Sequence, residues 1–175
     1  MHAFDTDSFS YDSFDESSTR PDMPMPRFEI RSVTADDYVG WRQLWDMYCS
    51  FYHVNLDPHV TAQTWRRINE LTIPIHGLLA QSVGGELLGL CHYVCHPNTW
   101  SDRTVCYLED VFVAPVARRM GVATSFIEKL KSIGVAENWT RIYWITNGDN
   151  MAAQATYDRV AKRSGHVRYE ISLDD

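Results

Sequence analysis

Residues 111–130 read VFVAPVARRMGVATSFIEKL. A β-branched and aromatic run, Val111-Phe112-Val113, leads to Pro115. Arg118 and Arg119 come next, then Gly121-Val122-Ala123, then an amphipathic run. The order is strand, loop, helix. A helix's first turn carries N–H groups without intrahelical acceptors and the positive end of the macrodipole. Gly121 and Ala123 leave room for a ligand to approach that backbone, and the two arginines add positive charge. The loop therefore reads either as a pyrophosphate cradle or as an ordinary strand-to-helix turn. It has neither the Lys-Ser/Thr of a P-loop nor the three glycines of a dinucleotide fingerprint.

The segments around it predict one mixed α/β domain. Residues 28–33 alternate as a first strand. Thr34 and Asp37 resemble a capping box with Asp in place of Glu. A helix over residues 35–52 follows, with Tyr38, Trp41, Leu44, Trp45 and Tyr48 at helical spacing. A shorter helix is predicted over 60–71, between Pro58 and Pro74. Residues 77–97 read as a hairpin turning on Gly84-Gly85 in a two-residue loop. Residues 103–113 are a long strand, and the helix after the opening loop runs to Glu137. Residues 141–147 read as a buried strand, 150–165 as a helix ended by Gly165, and 166–173 (HVRYEISL) as a last strand. The sheet is expected to be mixed and partly parallel, with helices on both faces.

The chain has 175 residues and a net charge of −7. That size suits one domain, and the charge argues against broad nucleic-acid binding. Five of the seven net negative charges fall in residues 1–26, a Ser- and Asp-rich stretch ending in alternating prolines. It is expected to be a disordered acidic tail, with the domain over 27–175. Residues 1–26 lack the basic start and apolar core of a secretory signal and are too acidic for a mitochondrial transit peptide. No apolar run reaches membrane-spanning length. Cys49, Cys91, Cys95 and Cys106 show no disulfide framework, which points to reduced thiols and a cytoplasmic protein.

CHYVCH, residues 91–96, offers Cys91, His92, Cys95 and His96. On a helix, the i and i+4 positions could share a zinc ion. On a strand, Cys91 and Cys95 stand about 13 Å apart at ~3.3 Å per residue, too far for one ion held at ~2.3 Å. The flanking residues favour strand, so no metal is expected and the cysteines read as small buried residues.

Asn150, Ala153 and Tyr157 fall at i, i+3 and i+7 and share a helix face. A tyrosine there is core or catalytic. With this second block, the chain resembles the GNAT superfamily of N-acetyltransferases. Arg118, Gly121 and Ala123 match its acetyl-CoA signature, Gln/Arg-x-x-Gly-x-Gly/Ala. Asn150, Ala153 and Tyr157 match its later Asn-x-x-Ala-x-x-x-Tyr helix. TYDRVAKRSGH, residues 156–166, resembles the branch holding fungal histone and polyamine acetyltransferases and their D-amino-acid-acetylating relatives. Thr156 before the tyrosine and Gly165-His166 in place of Gly-Phe depart from its usual pattern.

The resemblance implies acetyl-CoA as co-substrate and a GNAT-like acyl-CoA N-acyltransferase fold. The Val111-Phe112-Val113 run would bind the pantetheine arm, through the backbone of Val111 and Val113. Arg118 belongs to the same signature, and the amides of Arg119, Gly121, Val122, Ala123 and Thr124 would hold the pyrophosphate. Asn150 would bond the cofactor arm, and Tyr157 would return a proton to the CoA thiolate. An alkyl ammonium has a pKa of about 10.4, so something must take its proton. A Glu before the VFV-type run does this in related enzymes, which points to Glu109, with Asp110 and His92 in reserve. Strand alternation sets Glu109 on the face of Val111 and Val113.

The expected activity is acetyl transfer to a small primary amine, a polyamine or an amino acid. Protein or histone lysine acetylation is the alternative, with a nuclear location, and a non-catalytic acetyl-CoA sensor is another. The aromatic first helix would line the acceptor side or pack the core. A homodimer is also in view, since dimers are common in this fold.

Overall fold

A computed structural model of the chain describes residues 28–173. The expected acidic tail lies outside the described residues. Five strands, β1 (Phe28–Ser32), β2 (Ile75–Ser82), β3 (Leu87–His96), β4 (Val105–Val113) and β5 (Arg141–Tyr143), form one sheet in sequence order. β1 to β4 are antiparallel to their neighbours, and β4 runs parallel to β5. The helices are α1 (Tyr38–Phe51), α2 (Pro58–Ile68), α3 (Val122–Ala136) and α4 (Met151–Tyr157), with single 3-10 turns at Ala35–Asp37 and Pro115–Ala117.

The sheet is covered on both faces, and its central strands are apolar on both sides for that reason. Leu79, Leu90 and Phe112 pack against Trp41, Leu44 and Trp45 of α1. On the other face, Leu78, Cys91, Cys106 and Leu108 pack against Val122, Phe126, Ile127 and Leu130 of α3. Entry into the first helix is fixed by Asp37. Its carboxylate accepts the Thr34 N–H at 2.8 Å and both Arg31 Nη groups at 2.6 and 2.7 Å. The Arg31 bond is the largest reason that Asp37 falls from 3.8 to about 2.

Several boundaries differ from expectation. Pro58 is not ahead of α2 but in its first turn, where its missing N–H costs nothing, and Asp57 caps it through the His59 N–H. The hairpin loop has three residues, not two. Ser82 N–H reaches Glu86 O, Gly85 N–H reaches Ser82 O, and Gly85 takes the left-handed position (φ 89°).

The largest difference is at the end of the chain. β5 has three residues instead of seven, α4 stops at Tyr157, and residues 166–173 form no strand. Gly165 does not take the left-handed conformation of a helix C-cap. Val167, Tyr169, Ile171 and Leu173, the apolar half of the alternation, are 72–91% exposed. Alternation prepares a segment for a sheet, but a ladder needs a partner edge, and none reaches this segment among the described residues.

Gly89 on β3 lets two backbones close up. A Cβ there would stand 2.6 Å from Phe112 O and 3.3 Å from the Phe126 ring. Gly89→Ala must push β3 off β4 and should cost about 1–3 kcal/mol, as overpacking does. Urea unfolding of the variant, with a lower midpoint at unchanged m-value, is the check.

Candidate active site

The site begins where β4 loses a neighbour. Pairing with β5 covers Val105, Cys106 and Tyr107 and ends there. From Leu108 onward the outer edge of β4 faces no strand among the described residues. Ala114 N–H bonds to Leu88 O on the β3 side, so by alternation Val111 and Val113 turn their N–H and C=O groups to the open edge. Phe112 does the reverse: its backbone faces β3 and its ring is buried against α1. That is a correction to its place among the cofactor-binding residues, because neither its backbone nor its ring reaches the edge.

The open edge runs into the loop before α3. Arg119 (φ 64°) and Gly121 (φ 87°) both adopt left-handed conformations. The first costs a non-glycine residue on the order of 1 kcal/mol, a strain concentrated at this turn. Nothing lies within 4 Å of a Cβ built on Gly121, so backbone angle rather than crowding selects glycine. The first bond into the helix is Ser125 N–H to Gly121 O at 2.9 Å. The amides of Val122, Ala123 and Thr124 precede it and have no acceptor within the helix. Arg118 folds back rather than reaching outward. Its Nε lies 3.4 Å from Val113 O and its guanidinium stands over the Phe51 ring at 5.8 Å.

Beside the edge, β4 is irregular. The register passes from His92↔Asp110 to Tyr93↔Leu108, which leaves Glu109 as an extra, unpaired residue. This corrects the alternation argument. Glu109 owes its position to a bulge and not to the period shared with Val111 and Val113. Burial is the first cause raising its pKa from the ordinary 4.5, and the neighbouring Asp110 charge the second; Arg168 and His92 pull it down.

Asp110 points to the α1 side into a bonded chain that sequence reading did not find. Tyr48 Oη donates to its Oδ1 at 2.6 Å, and His92 Nδ1 lies 2.9 Å from its Oδ2. Trp41 Nε1 is 2.9 Å from His92 Nε2. An indole N–H only donates, so His92 Nε2 accepts and its ring proton sits on Nδ1, donated to Asp110. Both Asp110 oxygens and both His92 nitrogens are thereby engaged. Burial, then the Asp110 charge, pushes the Tyr48 phenol far above its ordinary value. The apolar spacing of α1 was visible in the sequence; the polar tips of Trp41 and Tyr48 meeting β3 and β4 were not.

The other expected residues come from α4. Asn150 is its N-cap: Oδ1 accepts the Ala153 N–H at 3.2 Å, which accounts for the Asn-x-x-Ala spacing and leaves Nδ2 as the side chain's donor. Tyr157 packs edge-on to Trp144 at 5.3 Å against the α3-side core. Burial is the main cause holding its phenol above the ordinary value, so the proton is retained. Of the aromatic residues on and just after α1, Trp41 and Trp45 are core, whereas Phe51 and Tyr52 are exposed. CHYVCH is strand, and no cluster of three or more His, Cys, Asp or Glu among the described residues could hold a metal ion.

The model of the acetyltransferase (GNAT) family matches residues 41–161. The chain belongs to the GNAT acetyltransferase family. It is 30% identical over 145 residues to a D-amino-acid N-acetyltransferase of Saccharomyces cerevisiae, covering 82% of this chain and 90% of that one. A thialysine N-epsilon-acetyltransferase of Caenorhabditis elegans is 28% identical over 136 residues, covering 78% and 83%. Among solved structures, a probable acetyltransferase superposes with a TM-score of 0.76 at 23% identity, over 84% of this chain and 99% of that one. The mixed, partly parallel sheet is thus that of a GNAT acetyltransferase, and the protein is an enzyme of that class. No helix among the described residues is long and apolar enough to cross a membrane.

Tyr48→Phe removes a hydrogen bond to a carboxylate and should lower stability by about 1.5–3 kcal/mol, read by denaturant titration.

Proposed function

We propose that this acetyltransferase moves acetyl from acetyl-CoA directly to the primary amine of a small molecule, an amino acid or a polyamine. The observation that carries the reading is the open β4 edge leading into the left-handed loop and the first amides of α3. An extended chain with amide groups can add to such an edge as a strand would, and a pyrophosphate suits the helix start. Val111 and Val113 would hold the pantetheine arm by their backbones. The amides of Arg119, Gly121, Val122, Ala123 and Thr124 would hold the pyrophosphate, and Asn150 Nδ2 would reach the arm. Arg118 would release Val113 O as the arm arrives. The curated relatives named for small amines, a D-amino acid and thialysine, support the acceptor class.

Acetyl-CoA supplies the thioester whose carbonyl carbon the amine attacks, forming C–N as C–S breaks. Glu109 is the base. Asp110 and His92 have their polar atoms bound to each other, Tyr48 and Trp41, whereas Glu109 stands unpaired at the bulge, with its pKa raised first by desolvation of the carboxyl and then by the Asp110 charge. It takes the ammonium proton, directly or through one water. Tyr157 keeps its proton at neutral pH and gives it to the departing thiolate.

Glu109→Gln and Tyr157→Phe should each lower kcat by about 10²-fold or more, with little change in KM for acetyl-CoA. The assay is CoA thiol release with a panel of D-amino acids, lysine analogues and polyamines. The acid limb of kcat/KM should lie above the ordinary carboxylate value and vanish in Glu109→Gln. Turnover on lysine peptides alone would reassign the acceptor to protein. Acetyl-CoA binding with no turnover on any amine would favour the sensor.

The open side of β5 and the exposed alternation of 166–173 support a homodimer in which one copy's segment pairs with the other's sheet. Val167→Lys with Ile171→Lys should then yield monomers in light scattering.

A further inference from the structure

Two cysteines that the acetyl-transfer site does not use face each other at the far end of the sheet. Cys95 of β3 and Cys106 of β4 are direct partners in the register. Cys95 N–H bonds to Pro74 O, on the side away from β4, at 2.9 Å. In an antiparallel pair, a residue whose amide turns away from its partner strand sits at a non-hydrogen-bonded position. There the Cα atoms approach to about 4.5 Å, within the roughly 4.4–6.8 Å span of disulfides. Both side chains turn to the α3 face, with Cys106 in the core and Cys95 packed against it. The two thiols are free, and the register sets them directly across from each other. The other two cysteines have no such partner in register. Cys91 is sealed in the core and Cys49 lies on α1.

We propose that Cys95 and Cys106 form a redox pair that a hydroperoxide converts to a cross-strand disulfide. Cys95, half-buried and directly opposite Cys106 in the register, is the attacking group, and the neighbouring Cys106 thiol and His76 ring hold its pKa below the ordinary thiol value. Its sulfur attacks a peroxide oxygen: S–O forms, O–O breaks, and water or an alcohol leaves, giving a sulfenic acid. The Cys106 sulfur then attacks Cys95. S–S forms, S–O breaks, and the hydroxide leaves as water with the Cys106 proton. Two thiols lose two electrons and two protons, which the peroxide takes. Two equivalents of a small thiol reverse it by exchange. The neighbouring Cys95 sulfur, then burial, pushes Cys106 up, so it resolves rather than initiates. Burial pushes Cys49 and Cys91 up too, so neither competes.

The test is hydrogen peroxide on the whole chain, followed by alkylation and non-reducing peptide mapping. The expected product is a Cys95–Cys106 peptide pair lighter by two hydrogens, abolished by dithiothreitol, with Cys49 still alkylated. Cys106→Ser should leave a dimedone-reactive sulfenic acid on Cys95, and Cys95→Ser should leave no oxidation product at Cys106. Cys106→Ala serves if the serine variant does not fold. Recovery of both cysteines as free thiols at peroxide levels that oxidise Cys49 overturns the proposal, as does Cys95 oxidised to sulfinic acid without linkage in the unmodified chain.

Discussion

The arrangement rests on Asp110. Its carboxylate is held on one side by Tyr48 of α1 and on the other by His92 of β3, and Trp41 holds His92 in turn. These bonds tie α1, β3 and β4 together at the bulge. A bulge in a strand with one open edge has little else to fix it, since the β5 ladder has already ended at Tyr107. A carboxylate with two donors in a part-buried place is stable only while both remain. The network therefore fixes the register of β4, the register fixes where Glu109 stands, and the same strand sets which amides face the open edge.

From that edge the chain turns through two left-handed residues into α3, so one continuous piece of backbone supplies a strand edge and a helix start. Each is a weak binding surface alone. Joined, they would suit the proposed ligand, with an extended amide-bearing arm and a diphosphate at its end. The strain at Arg119 belongs here: a relaxed turn would not aim the following amides the same way.

The layers of the fold could be read from local pattern, because Leu78, Leu79 and Ala80 announce burial on both faces and Trp41, Leu44 and Trp45 recur at helical spacing. Gly121 and the start of α3 were also legible, since a left-handed residue before a helix leaves a local mark. The bulge was not: it exists only relative to β3, and a single strand's alternation cannot reveal a residue that its partner skips. Asn150 was read as a ligand donor, yet its Oδ1 serves as a cap, a local role that the spacing to Ala153 already encoded. The last strand had the right alternation and failed for want of an edge, which is a property of the whole sheet. His92 and Asp110 were held in reserve as bases, and only their partners Trp41 and Tyr48 show that each is committed to holding the other.

The proposed base stands on β4 and the proposed acid on α4. Glu109 follows from a bulge anchored to α1, and its charge is felt at Tyr48 and Tyr107. Tyr157 belongs to the α3-side core beside Trp144. Direct transfer needs the amine to approach the carbonyl carbon from one side while the thiolate departs on another, so a base and an acid crowded onto one face would compete for the same space. Carrying them on separate elements keeps them apart. Both groups have pKa values raised mainly by burial, with opposite consequences: the carboxylate becomes a better acceptor and the phenol a better-kept donor. One physical cause, desolvation, would thus prepare the two ends of the proposed reaction for opposite tasks.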